Sequence, residues 1–262
     1  NNNDTEAQSN TVTVTKTGSI TTGTGNNAYG IFNDGAYNTT IVAGSIKTGT
    51  GDDAYGIYNR GNHNTTTVSG SIETSGYGAY GIYNIGNTNT TTVAGSIKTE
   101  GKYGWGIYNK GDTNTTTVAG SITTTGEKAH GIDIYGDDNE TTLSGSITTT
   151  GNYTMGIYNN GDNNKVTISG TVKATGTKSA ALYNKSGSGN SFTLNEGATI
   201  IGDILARDAT NNAFDATNSK LIFNLGASTS YAYSVSGEGE GTGDGQWIFS
   251  DLDRSSQVVT TT

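Results

Sequence analysis

The sequence predicts an all-β protein, a parallel β-solenoid of three-sided coils with about 25 residues each. Three observations indicate this fold. A cassette best read at Gly56-Ile57-Tyr58-Asn59 occurs seven times at nearly constant spacing, as internal repeats of solenoids do. Each copy contains three short β-prone runs separated by Gly and Asn. The third observation is the lack of long stretches with helical apolar spacing.

One copy, residues 70–93, shows the elements in order. Residues 70–74 read Gly-Ser-Ile-Glu-Thr, residues 79–84 read Ala-Tyr-Gly-Ile-Tyr-Asn, and residues 89–93 read Asn-Thr-Thr-Thr-Val. Because a unit this short cannot bury an apolar face alone, equivalent strands are expected to stack from copy to copy. With parallel strands about 4.8 Å apart, seven coils give a rod of about 34 Å.

Three apolar ladders are predicted to line the interior, one on each side of the coil. They comprise Ile20, Ile46, Ile72, Ile97, Ile122, Ile147 and Val172; Val42, Val68, Val93, Val118, Leu143, Ile168 and Leu194; and Ile31, Ile57, Ile82, Ile107, Ile132, Ile157 and Leu182. Strand alternation then places Thr91 inside, and Thr90 and Thr92 outside. The same parity predicts that Tyr55, Tyr80, Trp105, His130 and Met155 face inward.

Two columns of asparagine accompany these ladders. The first contains Asn33, Asn59, Asn84, Asn109, Asn159 and Asn184, and the second contains Asn38, Asn64, Asn89, Asn114, Asn139 and Asn164. Asn tolerates left-handed backbone, so these residues are expected at corners. Their stacked amides are expected to form hydrogen bonds from coil to coil.

The repeat register divides the chain into three parts. Residues 1–10 are expected to be disordered, residues 11–195 to form a regular β-helix of about seven repeats, and residues 196–262 to continue it irregularly. In this last part, strands are expected at 198–205, 220–225, 231–235 and 246–249, with an acidic Gly-rich loop at 237–245.

Composition excludes several classes of function. The chain has no Cys and therefore neither disulfides nor Cys-based metal sites. A formal net charge of −9 argues against nucleic acid and against an anionic membrane surface as partners. No apolar run approaches a membrane span, and the start Asn1-Asn2-Asn3-Asp4 suggests a piece of a longer protein. No cofactor and no metal site are expected.

The repeated motifs resemble the passenger domains of bacterial autotransporters. The likeness is carried by Gly-Ser-Ile-x-Thr, Ala-Tyr-Gly-Ile-Tyr-Asn and Asn-Thr-Thr-Thr-Val, and by segments such as 93–97 and 197–204, and it covers about residues 11–250. The resemblance implies a right-handed parallel β-helix on the bacterial cell surface, or secreted. It also implies that any membrane attachment would come only through a C-terminal β-barrel that is absent from this sequence.

Nucleophilic catalysis has no support in the sequence, because the motifs of the serine-protease and lipase types are absent and the two His lie in different copies. One alternative is a polysaccharide-degrading enzyme at the most divergent copy. That copy gathers His130, Asp133, Asp137, Asp138 and Glu140, and carboxylate clusters serve such chemistry on β-helices. Ordinary variation at solvent-facing corners explains the same residues.

Two outward arrays are candidate binding surfaces. An aromatic strip that could stack on sugar rings or join a second rod consists of Phe32, Tyr58, Tyr83, Tyr108, Tyr158 and Tyr183. A threonine array suggests ice binding as another alternative, and consists of Thr65, Thr67, Thr90, Thr92, Thr115 and Thr117. Cross-coil stacking and β-propensity explain the two arrays without a ligand. Asn114 and Asn139 lie in weak matches to bacterial N-glycosylation motifs.

The resemblance and the outward arrays together predict an adhesin-like structural rod. Its expected partners are a host cell surface protein or glycan, or a second copy of the rod.

Overall fold

A computed structural model describes residues 9–206 and 219–224. Within them all secondary structure is β, and every pair of adjacent strands is parallel. The strands form three sheets, and the chain visits each sheet once per coil. The predicted parallel β-solenoid with coils of about 25 residues is confirmed.

The three sheets are named here by their commonest residues. The nine strands of the threonine sheet are Thr11–Val14, Thr39–Val42, Thr65–Val68, Thr90–Val93, Thr115–Val118, Glu140–Leu143, Lys165–Ile168, Ser191–Asn195 and Lys220–Asn224. The eight strands of the isoleucine sheet are Ser19–Thr21, Ser45–Lys47, Ser71–Thr74, Ser96–Thr99, Ser121–Thr124, Ser146–Thr149, Thr171–Ala174 and Thr199–Ile201. The eight strands of the tyrosine sheet are Ile31–Asp34, Ile57–Arg60, Ile82–Ile85, Ile107–Lys110, Ile132–Tyr135, Met155–Asn160, Ala180–Ser186 and Asp203–Ala206.

The interior is filled by the three predicted ladders, which stack residue on equivalent residue. Val93 pairs with Val118, Ile97 pairs with Ile122, and the members of the ladders are buried except Ile20, which is partly exposed. The alternation predicted for the threonine strands is confirmed, with Thr91 buried and Thr90 exposed. Coils are numbered below from coil one, which contains Ile31, to coil seven, which contains Leu182.

The first asparagine column lies inside the rod and bonds successive coils. The Nδ2 group of Asn59 donates to Asn84 Oδ1 at 2.7 Å and to Thr66 Oγ1 at 3.0 Å, so one amide links two coils and two sheets. The predicted coil-to-coil hydrogen bonding of these amides is confirmed for this column wherever two Asn residues stack. Buried amides need such partners, because an unpaired polar group inside the rod costs free energy.

The second asparagine column is also buried, but the prediction that its residues have left-handed backbone is wrong. The left-handed residues stand one position earlier, as at His63 (φ 58°) and Thr88 (φ 60°). Asn89 instead accepts the backbone N–H of Asn64 and donates its own backbone N–H to Asn114 Oδ1, both at 2.8 Å. Because the amide must point inward to make these bonds, the left-handed backbone of the corner falls on the exposed residue before the Asn.

Stacking continues beyond the seven predicted repeats. The predicted strand at 198–205 appears as two strands, Thr199–Ile201 and Asp203–Ala206, and Lys220–Asn224 pairs with Ser191–Asn195. Of the N-terminal segment expected to be disordered, only residues 9 and 10 are described, and Asn10 bonds to Asn38. The expectations for 231–235, 237–245 and 246–249 lie outside the described residues.

Coil five interrupts the interior asparagine column, because Ile134 stands between Asn109 and Asn159. Ile134 is fully buried, and two atoms that an Asn at this place would bond, Thr141 Oγ1 and Asn159 Oδ1, have no hydrogen-bond partner. Each unsatisfied buried group costs about 1–3 kcal/mol, whereas the Ile side chain contributes about 1.5–3 kcal/mol by burial.

We therefore expect Ile134→Asn to raise the free energy of unfolding by about 1 kcal/mol, because satisfying two acceptors outweighs the lost burial of one Ile. Urea denaturation of both proteins measures the difference. The matched control is Ile132→Asn in the same strand. Its neighbours in adjacent coils are Ile107 and Ile157, which cannot form hydrogen bonds with an amide, so the free energy of unfolding should fall by about 3 kcal/mol. A less stable Ile134→Asn protein would contradict the expectation.

Candidate binding face

The predicted aromatic strip lies on the outer surface of the tyrosine sheet. Ring centroids are 5.1 Å apart from Phe32 to Tyr58, 5.1 Å from Tyr58 to Tyr83 and 5.0 Å from Tyr83 to Tyr108. Asp133 occupies the next position and divides the strip, which resumes with Tyr158 and Tyr183 at 5.5 Å. These residues form the first aromatic column.

A second aromatic column lies beside the first on the outer surface. The sequence analysis did not predict it. It consists of Tyr29, Tyr55, Tyr80, Trp105 and His130, stacked with centroid distances of 4.7 to 5.7 Å and nearly parallel rings. Tyr55 meets Tyr58 edge to face at 5.4 Å, and Trp105 meets Tyr108 edge to face at 4.6 Å. The rings of this column therefore pack on the outside of the sheet.

The predicted inward position of Tyr55, Tyr80, Trp105, His130 and Met155 is wrong. A glycine separates each of them from the ladder residue, and a Cβ on Gly56 would overlap Cγ2 of the core residue Ile72. Gly56 thus faces the interior, as does the next residue, Ile57, so the strict alternation fails between them. The residue before the glycine consequently lies on the outer side. Met155, half-buried, occupies the corresponding position in coil six.

The two columns together form one interlocked surface, called here the aromatic face. Because rings stack along the rod, most ring faces are covered by their neighbours, and edges and hydroxyl groups remain for solvent. Burial raises the pKa of Tyr83 to about 12 and raises the pKa values of Tyr80 and Tyr108 further. The hydroxyl groups are therefore protonated at neutral pH and available as donors.

Coil five places two titratable groups within the aromatic face. Asp133, only 4% exposed, stands between Tyr108 and Tyr158 along the first column, and burial raises the pKa of its carboxyl to about 8. His130 stacks on Trp105 and on Tyr158, and its Nδ1 accepts the backbone N–H of Met155 at 2.9 Å. Burial lowers the pKa of His130 to about 3, so it is neutral.

The carboxylates proposed for an enzyme site are spread over different parts of coil five. Asp133 is buried on the tyrosine sheet, Asp137 and Asp138 lie at the following corner, and Glu140 is exposed on the threonine sheet. Among residues 9–206 and 219–224 no group of three or more His, Asp or Glu residues is placed to hold a metal ion. The geometry gives Asp133 little access to a substrate.

The threonine array is in register. Thr65, Thr90 and Thr115 form one column, which continues with Glu140 and Lys165. The column through Thr67, Thr92 and Thr117 extends through three more coils as Thr142, Thr167 and Thr193. The two-column threonine surface is therefore only three coils long, because Ile41 replaces threonine in one column before Thr67, and Glu140 and Lys165 replace it in the other column after Thr115.

The glycosylation motifs at Asn114 and Asn139 are occupied by structural hydrogen bonds. Both side chains are buried, and the Oδ1 atom of each accepts the backbone N–H of the preceding coil at 2.8 Å. The folded chain therefore offers neither amide nitrogen to a glycosylating enzyme.

Comparisons of the chain with protein-family models, with curated proteins and with solved structures each gave no match. In the part of the chain that the structure describes, no helix is long and apolar enough to cross a membrane.

Proposed function

We propose that this protein is a non-enzymatic adhesive rod of the autotransporter passenger type, exposed on the bacterial cell surface or secreted, and that its aromatic face is the contact surface. The observation that carries the proposal is the length of that face. Rings from coil one to coil four contact one another without interruption in both columns, and all but the tilted Phe32–Tyr58 pair are stacked. A surface of this kind sums many small contacts along one partner.

The chemistry of the face favours contacts through ring edges and hydroxyl groups. Stacked ring faces are not free to lie flat on sugar rings, so a glycan would be held by Tyr hydroxyl groups rather than by stacking. Phe32, 46% exposed, and Tyr135, 49% exposed, present more of their rings at the margins of the face. The partners that fit are a host surface protein, a glycan or a second rod.

The alternatives find less support in the geometry. An enzyme at Asp133 needs a reactive carboxyl that substrate can reach, and this one is buried between aromatic positions. Ice binding needs a long regular plane, and the paired threonine columns are interrupted at Glu140. Unchanged glycan hydrolysis after Asp133→Ala, and normal ice growth in the presence of the protein, would remove these two hypotheses.

The proposed function predicts that Tyr83→Ser with Tyr108→Ser lowers binding of the purified chain to cultured host cells at least tenfold, because both changes remove hydroxyl groups and ring edges from the centre of the face. Binding of the labelled chain to cells measures this. The matched control is Tyr77→Ser with Tyr153→Ser, two exposed tyrosines off the aromatic face. Unchanged cell binding by a folded Tyr83/Tyr108 variant would overturn the proposal.

A further inference from the structure

The Tyr and Trp residues of both aromatic columns in coils one to four, called here the oxidisable set, form one connected group of rings. In the second column the ring centroids are 5.3 Å apart from Tyr29 to Tyr55, 4.9 Å from Tyr55 to Tyr80 and 4.7 Å from Tyr80 to Trp105, with planes within 9° of parallel. Tyr83 of the first column meets both Tyr55 and Tyr80 edge to face at 5.2 Å. Because rings in direct contact exchange electrons more readily than rings separated by a gap, an electron can pass from coil to coil.

The oxidisable set ends at coil five. His130 takes the next place in the second column, stacked on Trp105 at 5.7 Å, and Asp133 takes the next place in the first column. Neither side chain gives up an electron as readily as an indole or a phenol. Tyr103, two residues before Trp105, has the Lys128 ammonium 5.4 Å from its ring centroid, and this positive charge opposes the removal of an electron. The continuous route from Trp105 therefore leads toward coil one.

One hydroxyl group of the oxidisable set is bonded to a carboxylate. Tyr55 is 8% exposed, and its hydroxyl donates to Asp53 Oδ1 at 3.3 Å. The Tyr29 hydroxyl donates to an amide oxygen, Asn27 Oδ1, at 3.0 Å, and no described residue accepts a hydrogen bond from the other tyrosine hydroxyls of the set. A carboxylate is a base, whereas an amide oxygen is not. Among the described residues, Tyr55 is therefore the one member of the set with a proton acceptor in place.

The residue two positions before each ring of the second column decides this difference. It is Asn27 in coil one, Asp53 in coil two, Gly78 in coil three and Tyr103 in coil four. Asp53 has left-handed backbone (φ 53°), and a Cβ on Gly78 would lie 2.6 Å from Asp53 Oδ1. Glycine in coil three thus leaves the space that the Asp53 carboxylate occupies.

Trp105 is the only indole of the oxidisable set. It is half-buried, so an oxidant in solution reaches part of the ring, and its Nε1–H donates to the backbone carbonyl oxygen of Lys128 at 2.9 Å. Because a carbonyl oxygen does not take up the proton, loss of an electron leaves an indole radical cation that keeps its N–H. A phenol that loses an electron and a proton together forms a neutral radical of lower free energy. An electron from a tyrosine that has a base beside it therefore flows to the oxidised indole.

We propose that the aromatic face carries an oxidising equivalent from Trp105 to Tyr55, with Asp53 as the proton acceptor. The co-reactant is a one-electron oxidant in solution, which removes one electron from the indole. One electron then passes from Tyr55 through the Tyr80 ring to Trp105, over about 10 Å. The phenol proton moves with it along the hydrogen bond to Asp53 Oδ1. The indole is restored, and the products are a neutral Tyr55 radical and a protonated Asp53. This redox activity goes beyond the proposed adhesion and does not depend on it.

Pulse radiolysis with the azide radical tests the proposal, because this one-electron oxidant attacks indole faster than phenol near neutral pH. The full chain carrying Trp247→Phe retains Trp105 as its single tryptophan. Time-resolved absorption should show the Trp105 radical disappearing as a tyrosyl radical grows, at a rate that does not depend on protein concentration. The conversion should be slower in heavy water, because a proton moves with the electron.

The proton acceptor is tested with Asp53→Asn in the same background. This change removes the base and keeps a hydrogen bond of the kind that Tyr29 makes with Asn27. It should slow the conversion at least about tenfold and reduce the effect of heavy water. The matched control is Asp52→Asn, which changes the neighbouring exposed carboxylate and should leave the rate unchanged.

The route is tested with Tyr80→Leu and Tyr83→Leu together, which remove both rings of coil three that contact Tyr55. The tyrosyl radical that grows from the Trp105 radical should be lost. The matched control is Tyr158→Leu with Tyr183→Leu, two rings of the same face beyond coil five, and it should convert as fast as the unmodified face. Circular dichroism establishes that each variant is folded.

Any of three results would overturn the inference. They are a Trp105 radical that decays without a tyrosyl radical, a rate unchanged by Asp53→Asn, and slower conversion in the Tyr158/Tyr183 variant, which would put the acceptor on the other side of Trp105. If the coil-three variant does not fold, the two Asp variants decide, because both change exposed groups. Cell binding of the Asp53→Asn chain should equal that of the wild type, so failure of the redox inference leaves the proposed function standing.

Discussion

Gly120→Ala is expected to destabilise the rod by at least about 3 kcal/mol. Gly120 lies where the chain passes from the threonine sheet to the isoleucine sheet. A Cβ there would overlap the carbonyl oxygen of Gly95 and lie 2.7 Å from the carbonyl carbon of Ala94. Because these are backbone atoms of the preceding coil, relief requires two coils to move apart. Chemical denaturation measures the loss.

The neighbouring residue provides the control for this prediction. Ala119 is exposed, and the equivalent residues in adjacent coils are Ala94 and Ser144. Ala119→Ser should therefore change the free energy of unfolding by less than about 0.5 kcal/mol. A Gly120→Ala protein as stable as the Ala119→Ser protein would show that successive coils are not packed this closely.

Asp133→Asn is expected to stabilise the protein increasingly as the pH rises from about 4 to 8. In the folded chain burial raises the pKa of Asp133 to about 8, while in an unfolded chain an Asp ionises near 3.9. Between these values the Asp133 carboxyl holds a proton in the folded protein that it has lost in the unfolded chain, so the contribution of Asp133 to wild-type stability falls as pH rises. The slope is about 1.4 kcal/mol per pH unit, and the loss levels off above the folded pKa.

His130 acts in the opposite direction. Burial lowers its pKa to about 3 from an unfolded value near 6.5, so between these values the unfolded chain holds the extra proton and stability falls as pH falls. The two slopes offset each other between about pH 4 and 6.5. Wild-type stability should therefore be nearly flat there, with respect to these two groups, and should decline from about 6.5 to 8.

Urea denaturation at several pH values separates the two contributions. Asp133→Asn should remove the decline above about pH 6.5 and leave stability falling as the pH drops below about 6.5, whereas His130→Gln should extend the decline with rising pH down to about pH 4. Asp138→Asn and His63→Gln change an exposed carboxyl and an exposed imidazole, and serve as matched controls. Parallel curves for Asp133→Asn and the wild type would show that the Asp133 carboxyl is not buried in the folded protein.

The sequence predicted the three ladders and the outward first aromatic column because each depends only on the repeat and on strand alternation. Ile97 and Ile122 must pair if the copies stack, and Tyr83 must lie outside if Ile82 lies inside. Interior amide bonding between Asn residues was predicted for the same reason, since identical side chains meet at identical heights.

What the sequence did not reveal depends on local backbone geometry. The inward turn of Gly56 next to Ile57 breaks the alternation, and no pattern of residue types distinguishes this from a continuous strand. The same break hid the second aromatic column, although a repeated aromatic residue before each glycine was visible at Tyr55, Tyr80 and Trp105. The left-handed residues before Asn64 and Asn89 were likewise displaced by one position from the prediction.

The in-register pairing of Thr90 with Thr115 and Ile82 with Ile107 has a genetic consequence. Loss of the 25 codons for residues 82–106 would join Gly81 directly to Ile107. In each of the three ladders, the residues of the remaining coils would still stack on equivalent residues. Such a protein is shorter by about 4.8 Å and otherwise continuous. Loss of 24 codons would reverse the facing of every residue in the strand that follows the junction. Unequal recombination between cassettes can therefore lengthen or shorten the rod by one whole coil at a time. Each product keeps the register of the strands and is expected to fold.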